Sequence, residues 1–238
     1  EFIADAGGRA VLASHHPDDG QDVLGSQASA HRLARLGAGS STVTPTLWFD
    51  GGEEVRGPLT RSDLMRQISR AESTRSSSSR LTIVPALTTL EATGATVTLS
   101  TLSSDLINSS ITVMLVETSV TRPAGSVPGE PLWIVTRAVA EIDVQTGAPT
   151  TELPAEAWAI RGEVPSGIDL RITLDPSWKH DALGWVVIHE KVEDGEVVEV
   201  FGAHTYLPEG TSAEHLSARW LVAAGILLMA VGVQIWRR

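Results

Sequence analysis

Two hydrophobic patterns divide the chain. Up to about residue 72, short apolar runs alternate with segments whose apolar residues recur every three or four positions, which predicts strands and helices in turn. From residue 81 onward, apolar and polar residues alternate with a period of two, which is typical of β-strands. Residues 73–80 (STRSSSSR) are entirely polar and predict a linker. We therefore expect a mixed α/β region followed by an all-β region.

The first region, residues 1–72, predicts three strands and two helices, and the third strand is the returning arm 53–56. Residues 9–15 (RAVLASH) predict a buried strand, and residues 46–49 (TLWF) predict a second strand that turns back at Asp50-Gly51. A helix is expected after Ser26 as its N-cap. Its inner stripe is predicted at Ala30, Leu33, Ala34 and Gly37.

A second helix is predicted to begin at Thr60. Thr60 and Asp63 resemble a capping box, in which each residue hydrogen-bonds the backbone of the other. Leu64, Ile68 and Ala71 recur at helical spacing and are expected to share the buried face.

The second region, residues 81–208, is expected to form an antiparallel β-sandwich that is immunoglobulin-like in the broad sense. Alternation predicts strands over residues 96–102, 110–118, 132–144, 168–174, 184–192 and 197–206. Asp194-Gly195 predicts a two-residue hairpin turn between the last two strands. That turn would place His189 opposite Val200, so His189 and His204 are not expected to share a site.

Residues 220–236 (WLVAAGILLMAVGVQIW) predict a transmembrane helix after a juxtamembrane stretch, 209–219. The segment contains one polar side chain, and its length approaches what a bilayer core requires. The aromatic, glycine and arginine residues assigned to the anchor are Trp220, Gly225, Gly232, Trp236, Arg237 and Arg238. The alternative is a buried core helix, which is disfavoured because the segment has no polar face. The lipid bilayer is thus a predicted partner.

The charges around this segment predict its orientation. Arg237 and Arg238 follow it, which favours a cytoplasmic C-terminus and an extracytoplasmic N-terminal part. Asn108-Ser109-Ser110 is an N-glycosylation acceptor sequence, which agrees with an exterior location. The alternative is a tail-anchored cytosolic protein.

Composition excludes several kinds of function. The net charge of −11 argues against nucleic acid as a partner, because phosphate binding needs a basic surface. The chain has no cysteine, so it holds neither a thiolate nucleophile nor a dithiol redox centre.

Candidate chemistry is sparse. His15-His16 with Asp18 and Asp19 has metal-binding residue types but no ligand spacing, so a solvated loop is favoured, and we expect no metal, cofactor or catalytic residue. Four tryptophans are expected in the sandwich core or rim rather than on a carbohydrate platform: Trp133, Trp158, Trp178 and Trp185.

Residues 43–51 (VTPTLWFDG) carry a family resemblance. They resemble the loop before the third sheet strand of thioredoxin-like proteins, in which a cis-proline precedes Thr and an apolar strand ending in a Gly turn. The chain resembles exported members in which such a domain precedes a β-sandwich. The resemblance implies a cis-proline loop at Thr44, Pro45 and Thr46, facing an active-site dithiol that would lie upstream of residue 1. The alternative for Pro45 is a turn proline before an edge strand.

These patterns together predict an α+β multi-domain protein: a partial thioredoxin-like α/β domain, an antiparallel β-sandwich and a C-terminal transmembrane helix. The expected role is binding or assembly with other envelope proteins, without catalysis in this chain. The alternative is a thiol–disulfide oxidoreductase whose C-x-x-C lies upstream of residue 1.

Overall fold

The computed structural model describes residues 11, 13–16, 18, 24–38, 46–52, 54–57, 59–101, 108–118, 120, 134–164 and 166–208. Among these residues, two helices lie in the first region: α1 (Gln27–Arg35) and α2 (Arg61–Thr74). The strands are β1 (Thr46–Leu47), β2 (Val55–Arg56), β3 (Ser79–Pro85), β4 (Ala92–Thr101), β5 (Ser109–Glu117), β6 (Val135–Asp143), β7 (Pro149–Leu153), β8 (Trp158–Glu163), β9 (Gly167–Thr173), β10 (Leu183–Glu193) and β11 (Glu196–Tyr206). A single 3-10 turn, His180–Ala182, precedes β10.

Both helix starts lie where the sequence predicts them. The Ser26 hydroxyl accepts a hydrogen bond from the Ser29 amide at 3.1 Å, which caps α1. Thr60 and Asp63 form the predicted capping box at the start of α2. In α2, Ile68 is buried while Leu64 and Ala71 are half-buried, as expected for one inner face.

The predicted inner stripe of α1 is wrong. Ala28, Ser29 and Arg32 are its buried residues, whereas Ala34 and Gly37 are exposed. The hydrophobic pattern misassigned the face because α1 packs on a surface that carries carboxylates. A buried guanidinium that pairs with these carboxylates is stabilised there, although Arg is rarely buried otherwise.

The second region is a two-layer antiparallel β-sandwich. One sheet has the strand order β11-β10-β5-β6-β7, and the other has the order β3-β4-β9-β8. Six of these strands coincide with the predicted ones to within a few residues, and β3, β7 and β8 complete the layers. β1 and β2, which have two residues each, form a separate antiparallel hairpin in which Thr46 lies opposite Arg56.

The inner faces of the two sheets form the main core. On β9, Ile168, Leu170 and Ile172 point inward with Leu174, as their alternation predicts. They meet Ile111, Val113 and Leu115 of β5. Trp158 and Trp185 are buried there with ring centroids 6.2 Å apart, so the prediction that they are core residues is confirmed. Trp178 packs half-buried against the core, and Trp133 lies outside the described residues.

The central strands β5 and β6 of the five-stranded sheet are buried on both faces. All nine residues of β5 are buried, including the polar Thr112 and the acidic Glu117. A strand with one solvated face would show alternating burial. The second face of this sheet is covered because α1 lies across β6, with Ala28 against Met114 and Val139.

Two other predictions need correction, and one is not tested. The polar stretch 73–80 is not one linker, since residues 73–74 end α2 and residues 79–80 begin β3. The β10–β11 hairpin places His189 opposite Gly202, not Val200, because two register shifts interrupt the pairing. Among the described residues neither helix is long and apolar enough to cross a bilayer, and the predicted span at 220–236 lies outside them.

The sandwich has two distinct ends. We call the end with the Asp194-Gly195 turn the turn end; α1 finishes there and the β1–β2 hairpin lies there, with Gly37 facing Glu196 and Gly51 facing Val197. The other end, the loop end, holds the β3–β4 loop, the β9–β10 segment and the end of β11. Because β10 has 11 residues, the two ends are about 35 Å apart.

Candidate functional site

The N-terminal region is fastened to the sandwich by short polar contacts along one side of α1. The hydroxyls of Ser26 and Ser29 both donate to the Thr136 carbonyl of β6, at 3.3 and 3.4 Å. Upstream, Ser14 forms a parallel bridge with Val135, and the Thr136 amide donates to the Ser14 carbonyl at 3.2 Å. The start of β6 therefore holds two separate segments of the N-terminal region.

A buried ion pair lies at the centre of this junction. Arg32 donates two hydrogen bonds to the Glu190 carboxylate of β10, from Nη1 to Oε1 at 2.7 Å and from Nη2 to Oε2 at 3.0 Å. Thr112 of β5 also donates to Glu190, at 2.5 Å. The side chains of Arg32 and Glu190 are 2% and 1% exposed, so the charges have almost no access to water. Such a pair is tolerated only when its hydrogen bonds are satisfied by partners of good geometry.

A second carboxylate, Glu141 of β6, receives several donors from the same helix. Arg35 donates from Nη2 at 2.6 Å, and the His31 Nε2 lies 3.0 Å away. Thr151 of β7 donates from the opposite side at 3.3 Å. Burial alone would raise the pKa of the Glu141 carboxyl, but the hydrogen bonds and charges of His31 and Arg35 outweigh it and lower the pKa to about 2.

The charges of this junction balance within the buried cluster. Burial opposes the charged form of Arg32, yet Glu190 and Glu141 raise the pKa of the Arg32 guanidinium above its ordinary value. With Arg35, the cluster holds two guanidinium cations against two carboxylates. We call Arg32, Arg35, Glu141 and Glu190 the junction cluster. The junction cluster thus fixes α1 to the strands β6 and β10.

An open groove lies beside the junction cluster, at the turn end. Its volume is about 470 Å³. The end of α1, the β1–β2 hairpin and the start of β11 each supply part of its wall, through Leu36, Gly37, Trp48, Gly51, Gly52, Glu54, Glu196, Val197 and Val198. The wall thus combines one indole and aliphatic side chains with two carboxylates.

Close packing fixes the hairpin side of this groove. Gly51 has a φ of +73°, and a Cβ placed there would lie 2.7 Å from Val197 Cγ1. A residue with a side chain is disfavoured at this position on both grounds. Asp50 pairs with Arg75 after α2 at 2.5 Å, and the Ser76 hydroxyl donates to Glu199 at 2.7 Å. The hairpin, α2 and β11 are therefore tied together around the groove.

A buried histidine lies where the two sheets meet. His189 is 1% exposed, its Nδ1 is 2.8 Å from the Ser79 hydroxyl of β3, and its ring centroid is 5.0 Å from that of Phe201. Its Nε2 has no hydrogen-bond partner among the described residues. Burial lowers the pKa of His189 to about 4. The imidazole is therefore neutral near pH 7.

The sequence-predicted site residues are placed only in part. Thr46 begins β1, whereas Thr44 and Pro45 lie outside the described residues. Asn108 is exposed, with a φ of 58°, immediately before β5 at the turn end. The anchor residues lie outside the described part of the chain: Trp220, Gly225, Gly232, Trp236, Arg237 and Arg238.

The remaining histidines form no metal site in the part of the chain that the structure describes. His15 Nδ1 contacts the Thr136 hydroxyl at 3.2 Å, and His16 Nε2 contacts the Ser14 hydroxyl at 3.4 Å. Within the described ranges, no three His, Asp or Glu side chains meet in a metal-binding arrangement. His204 lies opposite Val187 and is exposed, so it is separate from buried His189.

Sequence reasoning missed the junction cluster. The available signal was an acidic residue within a predicted strand: Glu141 follows an apolar run, and Glu190 lies between His189 and Lys191. Such residues need a buried cation. Arg32 lies between the polar and apolar faces of α1, so pattern alone does not identify it as that cation.

Comparisons with known proteins relate the chain to solved structures by fold. No family model matches the chain, and no curated protein matches it. The structure is similar to HBP35 of Porphyromonas gingivalis, with a TM-score of 0.51 and 11% sequence identity over 76% of this chain. The chain spans 58% of that protein's length.

A second similarity is to a domain of the outer membrane lipoprotein Omp28 from Porphyromonas gingivalis. It has a TM-score of 0.35 and 13% identity, and covers 56% of this chain and 89% of that one. At these identities, the comparison with HBP35 shows a shared fold and nothing more.

Proposed function

We propose that this chain is a membrane-anchored extracytoplasmic protein that binds another envelope protein. Its binding surface is the groove at the turn end. In this proposal the N-terminal region is thioredoxin-like, the sandwich is immunoglobulin-like, and the segment 220–236 anchors both to the bilayer. The chain acts by holding a partner and not by catalysis.

The order of elements supports both fold assignments. The order α1, β1, β2, α2, with an antiparallel hairpin between two helices, is that of the C-terminal part of a thioredoxin-like domain. The sheets β3-β4-β9-β8 and β11-β10-β5-β6-β7 follow the A-B-E-D and G-F-C-C′-C″ orders of an immunoglobulin variable-type sandwich.

The observation that carries the proposal is the buried pair between Arg32 and Glu190. It fixes α1 on the sandwich, with both side chains withdrawn from water. The pair holds the α1 wall of the groove in place, and the ion pair between Asp50 and Arg75 holds the hairpin wall. In this proposal the groove is therefore preformed. A preformed surface binds with a smaller loss of conformational entropy than a mobile one.

The walls of the groove suggest the kind of partner segment. Trp48, Leu36 and Val198 offer apolar contact, and Glu196 supplies a negative charge at the rim. Aromatic side chains contribute large contact areas at interfaces and attract cations to their faces. The groove thus suits a peptide segment that carries an apolar residue beside a Lys or Arg.

Alkaline carbonate extraction tests the anchor. The full chain is expected to stay with the membranes, whereas Leu227→Arg together with Leu228→Arg should release it, because charges at a span centre cost about 2.5–3.5 kcal/mol each. Val84→Arg with Val198→Arg is the matched control, since both residues are exposed apolar residues of the sandwich. Release of the unmodified chain by carbonate contradicts the proposal.

Glycosylation tests the topology. When the chain is translated into microsomes, an extracytoplasmic sandwich should gain one glycan at exposed Asn108, the only Asn in the sequence. Ser110→Ala removes the acceptor sequence and should abolish the mass increase. An unglycosylated chain that is fully digested by external protease indicates a tail-anchored cytosolic protein instead.

Photo-crosslinking in intact cells tests the groove. A photoreactive residue at Val198 should form an adduct with a partner, and Trp48→Ala should reduce that adduct. The same photoreactive residue at exposed Glu163, far from the groove in β8, serves as the control. Adducts from both positions, or an adduct unaffected by Trp48→Ala, would show that the groove is not the binding surface.

A further inference from the structure

The loop end of the sandwich displays an isolated apolar tip. In the β3–β4 loop, Leu87 is 87% exposed and Leu90 is 82% exposed, the two most exposed large apolar side chains in the described residues. Scattered surface leucines are ordinary, but here two exposed leucines lie three positions apart on one short loop.

Part of the backbone of this loop is hydrogen-bonded within the loop itself. Thr89 donates its amide to the Ala92 carbonyl at 2.8 Å, and its hydroxyl accepts from the Ala92 amide at 3.1 Å. The hydroxyls of Thr88 and Thr93 pair at 2.9 Å. Polar groups that are already paired can leave water at small cost, whereas unpaired ones cannot. The loop is therefore a turn with internal hydrogen bonds, and its two leucines are exposed to solvent.

The same end of the sandwich leads to the predicted membrane segment. Ala92 at the base of the loop pairs with Thr173 of β9, and the Leu174 amide donates to the Glu91 carbonyl. The β9–β10 segment then leads to the start of β10, where Trp185 pairs with Tyr206 at the end of β11. The loop and the point where the chain leaves the sandwich thus lie at one end.

We propose that the Leu87–Leu90 tip inserts into the headgroup region of the bilayer in which the chain is anchored. This inference rests on the anchor proposed above. The 11 residues of the stretch 209–219 reach at most about 40 Å, so the tether keeps the loop end near the membrane without fixing its orientation. Interfacial apolar residues enter to a depth of about 5–10 Å, which two leucines on a turn can reach.

The charges at this end indicate which lipids suit the contact. Lys179 is exposed there, but so are three acidic residues, Glu91, Asp175 and Asp181. Anionic headgroups would be repelled by this rim. The insertion is thus apolar in origin, and it should be at least as strong on zwitterionic phosphatidylcholine as on anionic lipid.

The orientation has a consequence for the groove. With the tip in the bilayer, the turn end lies about 35 Å farther out, because β10 runs between the two ends. The groove beside Trp48 would face away from the membrane, toward partners in the surrounding space.

Site-specific fluorescence tests this inference. The chain has no cysteine, so Leu87→Cys, Leu90→Cys and Val198→Cys each create a single labelling site for the polarity-sensitive dye NBD. Val198 is the matched control, because it is an exposed apolar residue at the turn end. All three are labelled in the full chain, reconstituted into phosphatidylcholine vesicles with or without doxyl-labelled lipid.

The expected result is a shift of emission to shorter wavelength and quenching by doxyl lipid at positions 87 and 90, and neither effect at position 198. Water-like emission at all three positions in a chain that resists carbonate overturns the inference and leaves the anchor intact. Quenching of the dye at position 198 alone would show that the turn end, and not the loop end, contacts the bilayer, which overturns the inference. Release of the labelled chains by carbonate removes the anchor and the inference together.

Discussion

Arg32 and Glu190 are 158 positions apart in the sequence, yet they form a two-point hydrogen bond of 2.7 and 3.0 Å in the buried junction between α1 and β10. Without its partner, each of these residues would be a buried charge that lacks its main counter-charge. The pair joins α1 to the sandwich and fixes the α1 wall of the groove.

Removing the cation of this pair should destabilise the protein strongly. Arg32→Met is expected to lower the free energy of unfolding by about 3–5 kcal/mol, because Glu190 is left buried without its partner. The double variant Arg32→Met with Glu190→Leu should recover most of that loss. Urea unfolding of the full chain in detergent measures both values. Arg70→Met on the exposed face of α2 is the control, with an effect within about 0.5 kcal/mol.

Glu141 should make stability depend on pH in the acid range. Its pKa in the folded protein, about 2, is below the ordinary value of 4.5, so the unfolded chain binds the proton more tightly. Its contribution of roughly 3 kcal/mol is therefore complete above pH 4.5 and falls as the pH drops toward 2. Glu141→Gln should flatten the stability profile in that window, whereas Glu163→Gln on exposed β8 should not. A wild-type slope retained in Glu141→Gln would refute this assignment.

His189 should act in a higher pH window than Glu141, with the same sign. Its pKa is lowered from 6.5 to about 4 by burial, so the unfolded chain gains a proton before the folded protein does. Stability is then complete above pH 6.5 and falls by roughly 3 kcal/mol as the pH drops from 6.5 to 4. His189→Gln should reduce this slope, and the part that remains belongs to His15, whose pKa is lowered by burial to about 3. Exposed His204→Gln should leave the slope unchanged.

Gly51 and Gly57 allow the cost of backbone strain to be measured separately from the cost of a steric clash when Gly is replaced by Ala. Both have positive φ, +73° and +85°, but a Cβ added at Gly51 would lie 2.7 Å from Val197 Cγ1, whereas one added at Gly57 would meet open space. Each Gly→Ala change should cost about 1–3 kcal/mol for backbone strain. Gly51→Ala should cost more, and Val197→Ala should recover that excess. Equal losses in thermal unfolding of the two single variants would show that the contact with Val197 contributes nothing.

Local signals in the sequence were sufficient to locate most elements. The capping box at Thr60 and Asp63, the cap at Ser26 and the turn at Asp194-Gly195 all occur where the sequence predicts them. These motifs depend on hydrogen bonds within a few residues, so their outcome is decided locally. Period-two alternation likewise identified the inner face of β9, because a strand in a sandwich has one side in the core.

Contacts between distant segments decided the rest. The buried face of α1 differs from its apolar stripe because Glu141 and Glu190 attract Arg32, and no periodicity encodes a partner more than 100 positions away. Two bulges moved His189 from Val200 to Gly202, which a turn-based register does not reveal. Hydrophobic periodicity reflects whether a position meets water. Tertiary packing decides which charged side chains meet each other. Such contacts between distant segments form both the junction cluster and the groove.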